Sequence, residues 1–333
     1  MADTLRIATF HTELSRKGPG LLLRDILDGD PQAEAVAEVV AHAAPDVLIL
    51  QGIDYDHGQA ALAALRDLIE AAGVAYPHIF ALRPNSGMAS GHDLDGDGRL
   101  GEPEDAQGYG WFAGEGGMAI LSRHPVDLAG VQDFSDLLWK DLPGAIPDEG
   151  MKAEVQRLSS VGHWAVPITI GDRRLTLLTF HATPPVFDGP EDRNGRRNHD
   201  EIVFWQRYLD GAYGDVPGHA FVLAGNANLD PVDGDGRKEA ISGLLADPRL
   251  QDPMPQRAGP AARAEGQMGD PALDTAAWGE PVPGHLRVSY VLPSADLKVA
   301  ASGVVWPGEG DPLAAAATEA SRHRLVWVDL VID

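Results

Sequence analysis

The sequence predicts an α/β (α+β) fold in which two mixed β-sheets pack face to face and helices cover their outer faces, a four-layer sandwich. Early in the chain, short apolar runs alternate with amphipathic stretches, the mark of strand–helix crossovers. Later runs pair across tight turns, the mark of antiparallel strands. The 333 residues, 44% of them hydrophobic, suffice for a large core, and no Ser/Gly-rich or Pro-rich linker divides them. Residues 1–333 are therefore read as one domain.

Leu5 to Phe10 sets Leu5, Ile7 and Thr9 on one face and reads as a first strand ending at His11 and Thr12. GPGLLLRDILDGD gives a short helix, and Pro31 to Ala43 a longer one with Val36, Val39, Val40 and Ala43 on one stripe. Val47 to Gln51, almost wholly apolar, is a central strand. Gln59 to Ala72 is a helix, Tyr76 to Leu82 a strand, and Gly116 to Ser122 a buried strand. Gln132 to Met151 reads as a lid or surface excursion. Gln156–Ile170 and Leu175–His181 pair across Gly171-Asp172-Arg173, and Pro184-Pro185 stops the second strand. His181 is thereby delivered into a polar loop, Asp188 to Glu201, where α/β proteins usually place chemistry. A helix with Ile202, Phe204, Trp205 and Tyr208 follows. Phe221 to Ala224 is a core strand leading into GNANLDP, then a helix runs from Arg237 to Leu245. After a loop from Asp252 to Gly284, strands cover Leu286–Leu292 and Arg324–Ile332.

Composition narrows the partners. Fifty Asp+Glu against 26 Lys+Arg give a net charge of −24, which repels polyanions and disfavours nucleic acid. Zero cysteines exclude disulfides and thiolate metal ligands. No run reaches the roughly 18 apolar residues that span a bilayer, and MADTLRIATF lacks the charged and apolar regions of a signal peptide. Met1-Ala2 before a strand equally suits an expression start on an exported mature chain.

Asp93-Leu-Asp95-Gly-Asp97-Gly98, with Glu104 closing, matches a twelve-residue calcium loop. Three carboxylates at alternate positions converge on one hard cation, glycine allows the turn, Arg99 offers its backbone carbonyl, and Glu104 closes the shell. Without flanking helices this is an isolated loop, and its competitor is a solvated acidic turn. Bound calcium would favour a periplasmic or extracellular location, where free calcium is plentiful. The run Asp233-Gly-Asp235-Gly236 lacks the first and last ligands and reads as a turn.

Polar groups mark four strand ends: His11, His181, Asn226 with Asn228, and His323. The ordered series TFH, LQG, GGMAILSR, LLTFH, AGNANLDP, RVSYVL and ASRHRLVWVDL resembles the endonuclease/exonuclease/phosphatase superfamily, whose fold is deoxyribonuclease I-like. The insert HATPPVFDGPEDRNGRRNHDEI is similar to a bacterial subfamily of that group. The resemblance implies phosphoester hydrolysis with a divalent cation, magnesium or manganese. It implies that His181 bonds the phosphoryl group, that Asn228 orients it, with Asn226 in the same motif, and that His323 serves proton transfer or transition-state stabilisation.

The departures concern carboxylates. The family's asparagine after the first strand is His11, and its metal-binding glutamate is Gly52. The aspartate of GDxN is Asn226, that of RVDY is Ser289, and the one before the final histidine is Arg322. A hard cation is normally held by one or two carboxylates, so ordinary family chemistry requires replacements.

Three readings follow. Asp54 or Asp56, with Asp188, Asp192 or Glu201 from the loop, restores the metal site while Arg193, Arg196 and Arg197 grip phosphate. Alternatively, His11, His181 and His323 form a neutral imidazole triad for zinc. In the third, the chain is a disabled or weakened member acting as a binding protein with a structural calcium. The favoured ligand is a small-molecule or lipid-like phosphoester; the sequence sets no oligomeric state. Bland readings stand beside these: a satisfied core histidine for His181 or His11, a sheet-edge residue for His323, an Asx turn for Asn226 and Asn228, and a solvated face for the arginines. Trp111, Trp139, Trp164 and Trp205 read as core or lid anchors.

Overall fold

Period-two alternation along the strands assigns every side chain a layer, and in the computed structural model those layers number four. It describes residues 3–148, 150, 152–214, 216–279 and 283–332. Met1, Ala2 and Met151 lie outside these.

The first half of the chain supplies β1 (Asp3–Leu14), α1 (Leu21–Leu27), α2 (Pro31–Ala43), β2 (Val47–Ile53), α3 (Ala60–Ala71), β3 (His78–Phe80), β4 (Gly117–Ser122) and β5 (Gln132–Asp133). The second half supplies β6 (His163–Ile170), β7 (Arg173–His181), α4 (Arg193–Leu209), β8 (Phe221–Asn226), α5 (Glu239–Leu245), β9 (Ala276–Ala277), β10 (His285–Leu286), β11 (Ser289–Pro293), β12 (Val299–Val304), α6 (Ala314–Ala320) and β13 (Val326–Ile332). One sheet has the order β12-β13-β1-β2-β4-β3, the other β11-β8-β7-β6-β5, and β9 with β10 forms a small ribbon. Each large sheet is mixed: β1–β2 and β7–β8 are parallel and the remaining pairs antiparallel.

Leu5, Ile7, Val47, Ile49, Val326 and Val328 face Trp164, Val166, Leu175, Leu177, Val222 and Ala224, forming the layer between the sheets. The alternate residues Ala8, Phe10, Leu48 and Leu50 pack under α1, α2, α3 and α6. Leu178, Phe180 and Leu223 pack under α4 and α5. Apolar area buried in such layers stabilises by about 25 cal/mol per Å².

Several boundaries differ from expectation. β1 runs past His11 to Leu14, because the strand keeps pairing with β2 through a register shift between His11 and Leu14. β12 and α6 were not expected: VAASGV and AAAATEA carry little apolar contrast, and both are fixed by neighbours, β13 and α2. α4 begins at Arg193, so Arg193, Arg196 and Arg197 belong to a helix rather than a loop. Trp139, Trp164 and Trp205 are fully buried, whereas Trp111 is 71% exposed and lies outside the core.

Candidate functional site

The inter-sheet alternation that places Leu5 and Ile7 inward continues through Thr9 to His11; on β7 it passes from Leu177 through Thr179 to His181. Apolar residues thus give way to polar ones at one end of the layer. His11 pairs with Gln51, His181 with Asn226, and Asn226 with Ser289. Gln51 exchanges hydrogen bonds with Thr9. His323 arrives from the segment before β13, bridged to Ala276. The ring of His11 lies between the other two, 4.8 Å from His181 and 4.3 Å from His323 by centroid. Trp278 meets His323 edge-on at 5.2 Å.

These rings form part of a cavity of about 760 Å³ whose lining also includes Glu13, Asn228 and Arg322. Val161, Pro184, Pro185, Val186, Leu286 and Val288 give it an apolar wall, and Tyr109 and Phe187 stand exposed beside it. Burial pushes all three imidazoles below their ordinary pKa, His323 down to about 3, and each histidine's neighbour adds to the effect. They are neutral at pH 7. Nδ1 of His11, His181 and His323 is buried without a hydrogen-bond partner. His163 shows what a satisfied core histidine looks like here: its Nδ1 bonds Ser159 Oγ at 2.6 Å and its Nε2 bonds the Glu201 carbonyl at 2.8 Å. These three nitrogens lack the partner that nearly every buried polar group has, in rings that line the cavity.

Asn228, at φ 51, donates through Nδ2 to the Ala182 carbonyl at 2.8 Å and accepts from Asn226 Nδ2 at 3.1 Å. Asn226 is fully buried behind it, its Oδ1 accepting from the Asn228 amide at 3.0 Å. These bonds are those of the Asx turn, and they also hold Asn228 at the cavity edge.

The expected phosphate-gripping arginines stand elsewhere and do not line the cavity. Arg193 pairs with Asp148 at 2.8 Å and bonds the Leu94 carbonyl. Arg196 bonds the carbonyls of Glu191 and Ile146. Arg197 is buried and donates to the carbonyls of Leu158, Gln107, Arg157 and Ser159, clamping two loops. On a helix whose buried stripe carries Ile202 and Trp205, these positions turn toward loops 94–107 and 146–159 instead of the cavity.

The replacement carboxylates are also committed. Asp54 accepts from Ser15 Oγ, Arg16 N and Gly116 N, all near 2.8–3.0 Å, and tethers the turn after β2. Asp56 binds the first amides of α3, those of Ala60 and Ala61. Glu201 accepts from Ser160 N, Ser160 Oγ and Thr183 N. Asp188 accepts from Asn194 N, and Asp192 pairs with Arg237.

Glu13, which sequence reasoning missed, and Gly52, which it named only as a departure from the family pattern, complete the wall. Glu13 accepts from Arg322 Nε, Nη2 and backbone N and from Ser321 Oγ. Its signal was its spacing, two residues after His11 on the same strand. Gly52 has φ +68, and a Cβ there would meet His11 Cε1 at 2.9 Å and Nε2 at 3.0 Å. His11 therefore fills the space into which a longer side chain at position 52 would extend.

The family's divalent cation does not fit these residues. Position 52 offers no carboxylate, Glu13 accepts from four donors, Asp54 accepts from three and does not line the cavity, and Arg322 adds a positive charge beside Glu13. Nor do the imidazoles converge as a zinc triad. Among the described residues, three candidate ligand atoms within 4.8 Å of one another occur at Asp93, Asp95 and Asp97. A tetrahedral zinc with nitrogens at about 2.1 Å would need its ligands closer still.

At that acidic loop, Asp93 accepts from Gly96 N and Gly98 N, Asp95 from Asp97 N, and Asp97 from Arg99 N. The Arg99 side chain pairs with Glu102 at 3.3 Å. Glu104 lies exposed outside the cluster, because Pro103–Asp105 forms a 3-10 turn that directs Asp105 inward to Leu94 N and Gly101 N.

Among the described residues no helix is long and apolar enough to cross a membrane. No curated protein matches the sequence. Solved structures do match in fold. An endonuclease/exonuclease/phosphatase from Beutenbergia cavernae is 20% identical over 99% of this chain and 72% of its own, with TM-score 0.56. Sphingomyelinase C from Streptomyces griseocarneus is 18% identical over 98% and 99%, at TM-score 0.53. Truncated Caenorhabditis elegans TDP2 is 15% identical over 99% and 98%, at 0.52. The fold is thus that of the deoxyribonuclease I-like proteins, and residues 17–323 match the model of the Endonuclease/Exonuclease/phosphatase family, to which this chain belongs.

Proposed function

We propose that the chain is a phosphoester-binding member of this family, its cavity taking a small or lipid-like phosphoester and its hydrolytic rate lying far below that of a site complete in carboxylates. The observation that carries this reading is the convergence of His181, Asn228 and His323 on one cavity whose wall carboxylate Glu13 is already bonded to Arg322 and Ser321. Each neutral imidazole offers one N–H donor and one lone pair, and Asn228 keeps one amide N–H free of its bond to Ala182. These groups bind phosphoryl oxygens and hold them in place. Burial keeps the imidazoles unprotonated, which leaves proton transfer to a leaving group weakly driven. The apolar wall supports a lipid-like substituent, and the charge of −24 weighs against polynucleotides. The sphingomyelinase C and TDP2 likenesses do not choose between them, so the wall and the charge do.

A second reading, metal-dependent phosphodiesterase or phosphatase activity, is favoured by Glu13 itself: a carboxylate on the wall beside His11 that would reach a magnesium, manganese or zinc ion if Arg322 released it. Calcium at Asp93, Asp95 and Asp97 is supported by their clustering. One experiment separates the readings. After metal stripping, binding of a short-chain phosphodiester is measured by calorimetry, and hydrolysis of chromogenic phosphodiesters and phosphomonoesters is followed with magnesium, manganese, zinc or calcium returned singly. Binding that is lost in His181→Ala, with turnover near background, is expected. Turnover restored by one metal and abolished by His181→Ala would establish the hydrolase instead.

A further inference from the structure

We infer that the imidazole of His11 occupies the seat of the family's divalent cation, so that the cavity floor holds its ligand without a metal ion. The inference rests on the cavity being the ligand site proposed above. Its first support is steric. The space beside Gly52 is filled by His11, whose Cε1 and Nε2 lie 2.9 and 3.0 Å from where a Cβ would stand. Glycine at φ +68 and histidine at position 11 are thus one solution: the strand alternation turns the ring inward, and only a residue without a side chain leaves room for it.

The second support is electrostatic. Glu13 is held by Arg322 and Ser321, so its lone pairs point at donors rather than at the floor. Arg322 neutralises Glu13 on the same wall, which leaves that carboxylate little to offset the dehydration of a divalent cation. Of the other lining carboxylates, Asp230 accepts from the Val232, Asp233 and Arg287 amides, Glu115 accepts from the Trp111 amide, and Asp235 lies at the exposed rim. Burial makes all three floor histidines neutral, the state a cation would require of them, yet their ring geometry leaves His11 wedged between His181 and His323 instead of opening a common coordination point. A ligand in this cavity meets hydrogen-bonding nitrogens and the Asn228 amide. That suits an oxygen-rich group whose charge is already spread or balanced within the ligand, such as a phosphodiester carrying its own cationic substituent.

The test uses manganese as the probe, by calorimetry and electron paramagnetic resonance, on the full chain with Asp93→Asn, Asp95→Asn and Asp97→Asn together, which removes the acidic loop from the count. This background is expected to take up no manganese at millimolar concentration. Adding His11→Asn with Gly52→Glu is expected to create about one manganese site per chain. A folded double variant that binds none overturns the seat assignment. Manganese bound by the background and lost on His11→Ala or Glu13→Gln overturns the whole inference. If the strain at position 52 prevents the double variant from folding, the background titration decides alone: no uptake supports the inference, and uptake removed by His11→Ala defeats it. Phosphodiester binding measured on the same background in chelator is a separate readout, so a cavity that binds neither probe refutes the binding reading while leaving the cation result standing.

Discussion

At the scale of single residues, burial decides which polar groups serve structure and which serve a ligand. Arg197 is the structural case: a fully enclosed guanidinium whose donors end on carbonyls of segments 107 and 157–159. Removing it leaves those carbonyls unpaired, so Arg197→Ala is expected to cost about 3 kcal/mol or more in urea unfolding, whereas Arg196→Ala, nearer the surface, costs about 1 kcal/mol or less. Equal stabilities for the two variants, with phosphodiester affinity falling only in Arg197→Ala, would return Arg197 to a phosphate-binding role. The floor histidines are the opposite case. Their folded pKa values lie below the unfolded value of about 6.5, with His323 at about 3, so between these limits the unfolded chain binds protons that the folded chain refuses. Stability is fully present above about pH 6.5 and is lost as pH falls, by up to about 1.4 kcal/mol per pH unit for each such group. Urea midpoints measured from pH 7.5 to 5 should decline, and less steeply in His323→Gln. An unchanged slope in that variant would show that His323 is not buried neutral.

At the scale of elements, the Asp93–Glu104 loop separates what a motif states from what the chain does with it. Three aspartates cluster as the calcium spacing demands, but the 3-10 turn at Pro103 excludes Glu104 and installs Asp105 as a backbone tether. Millimolar calcium is therefore expected to raise the melting temperature of the native chain and of Glu104→Gln alike, and to lose that effect in Asp93→Asn. A calcium response abolished by Glu104→Gln would restore the full twelve-residue loop, and no response in the native chain would make it a solvated turn. The same contrast explains how far the fold was legible. Strongly patterned stretches, such as Pro31–Ala43 with its Val36–Val40 stripe and Val47–Gln51, which the strand extends to Ile53, appear where the sequence places them because burial and periodicity agree. β12 and α6 escaped because tertiary neighbours, not their own alternation, fix them. At the site, His181, Asn228 and His323 were legible from strand ends in a familiar order. The Glu13–Arg322 pair was not, since it joins residues 309 apart in the chain through a bend only the folded sheet creates.

At the scale of the whole molecule, one property acts on everything at once: a net charge of −24 spread over a single chain of 333 residues. Surface pairs such as Arg66 with Asp67 and Arg99 with Glu102 neutralise individual carboxylates at 2.6 and 3.3 Å, yet each exposed pair contributes only about 0–1 kcal/mol and the acidic excess is left over. That excess repels itself most strongly in the compact state, where the charges are closest. Raising sodium chloride from 10 to 150 mM shortens the screening length from about 30 Å to about 8 Å, which weakens the long-range repulsion more than the short contacts that oppose it. The melting temperature should therefore rise by a few degrees over this interval, and binding of duplex DNA should be undetectable at the higher salt. A melting temperature that falls with salt would mean that ion-pair networks outweigh the net charge. Tight DNA binding would mean that a local cationic surface overrides the global field, and it would remove the electrostatic argument for a small or lipid-like phosphoester.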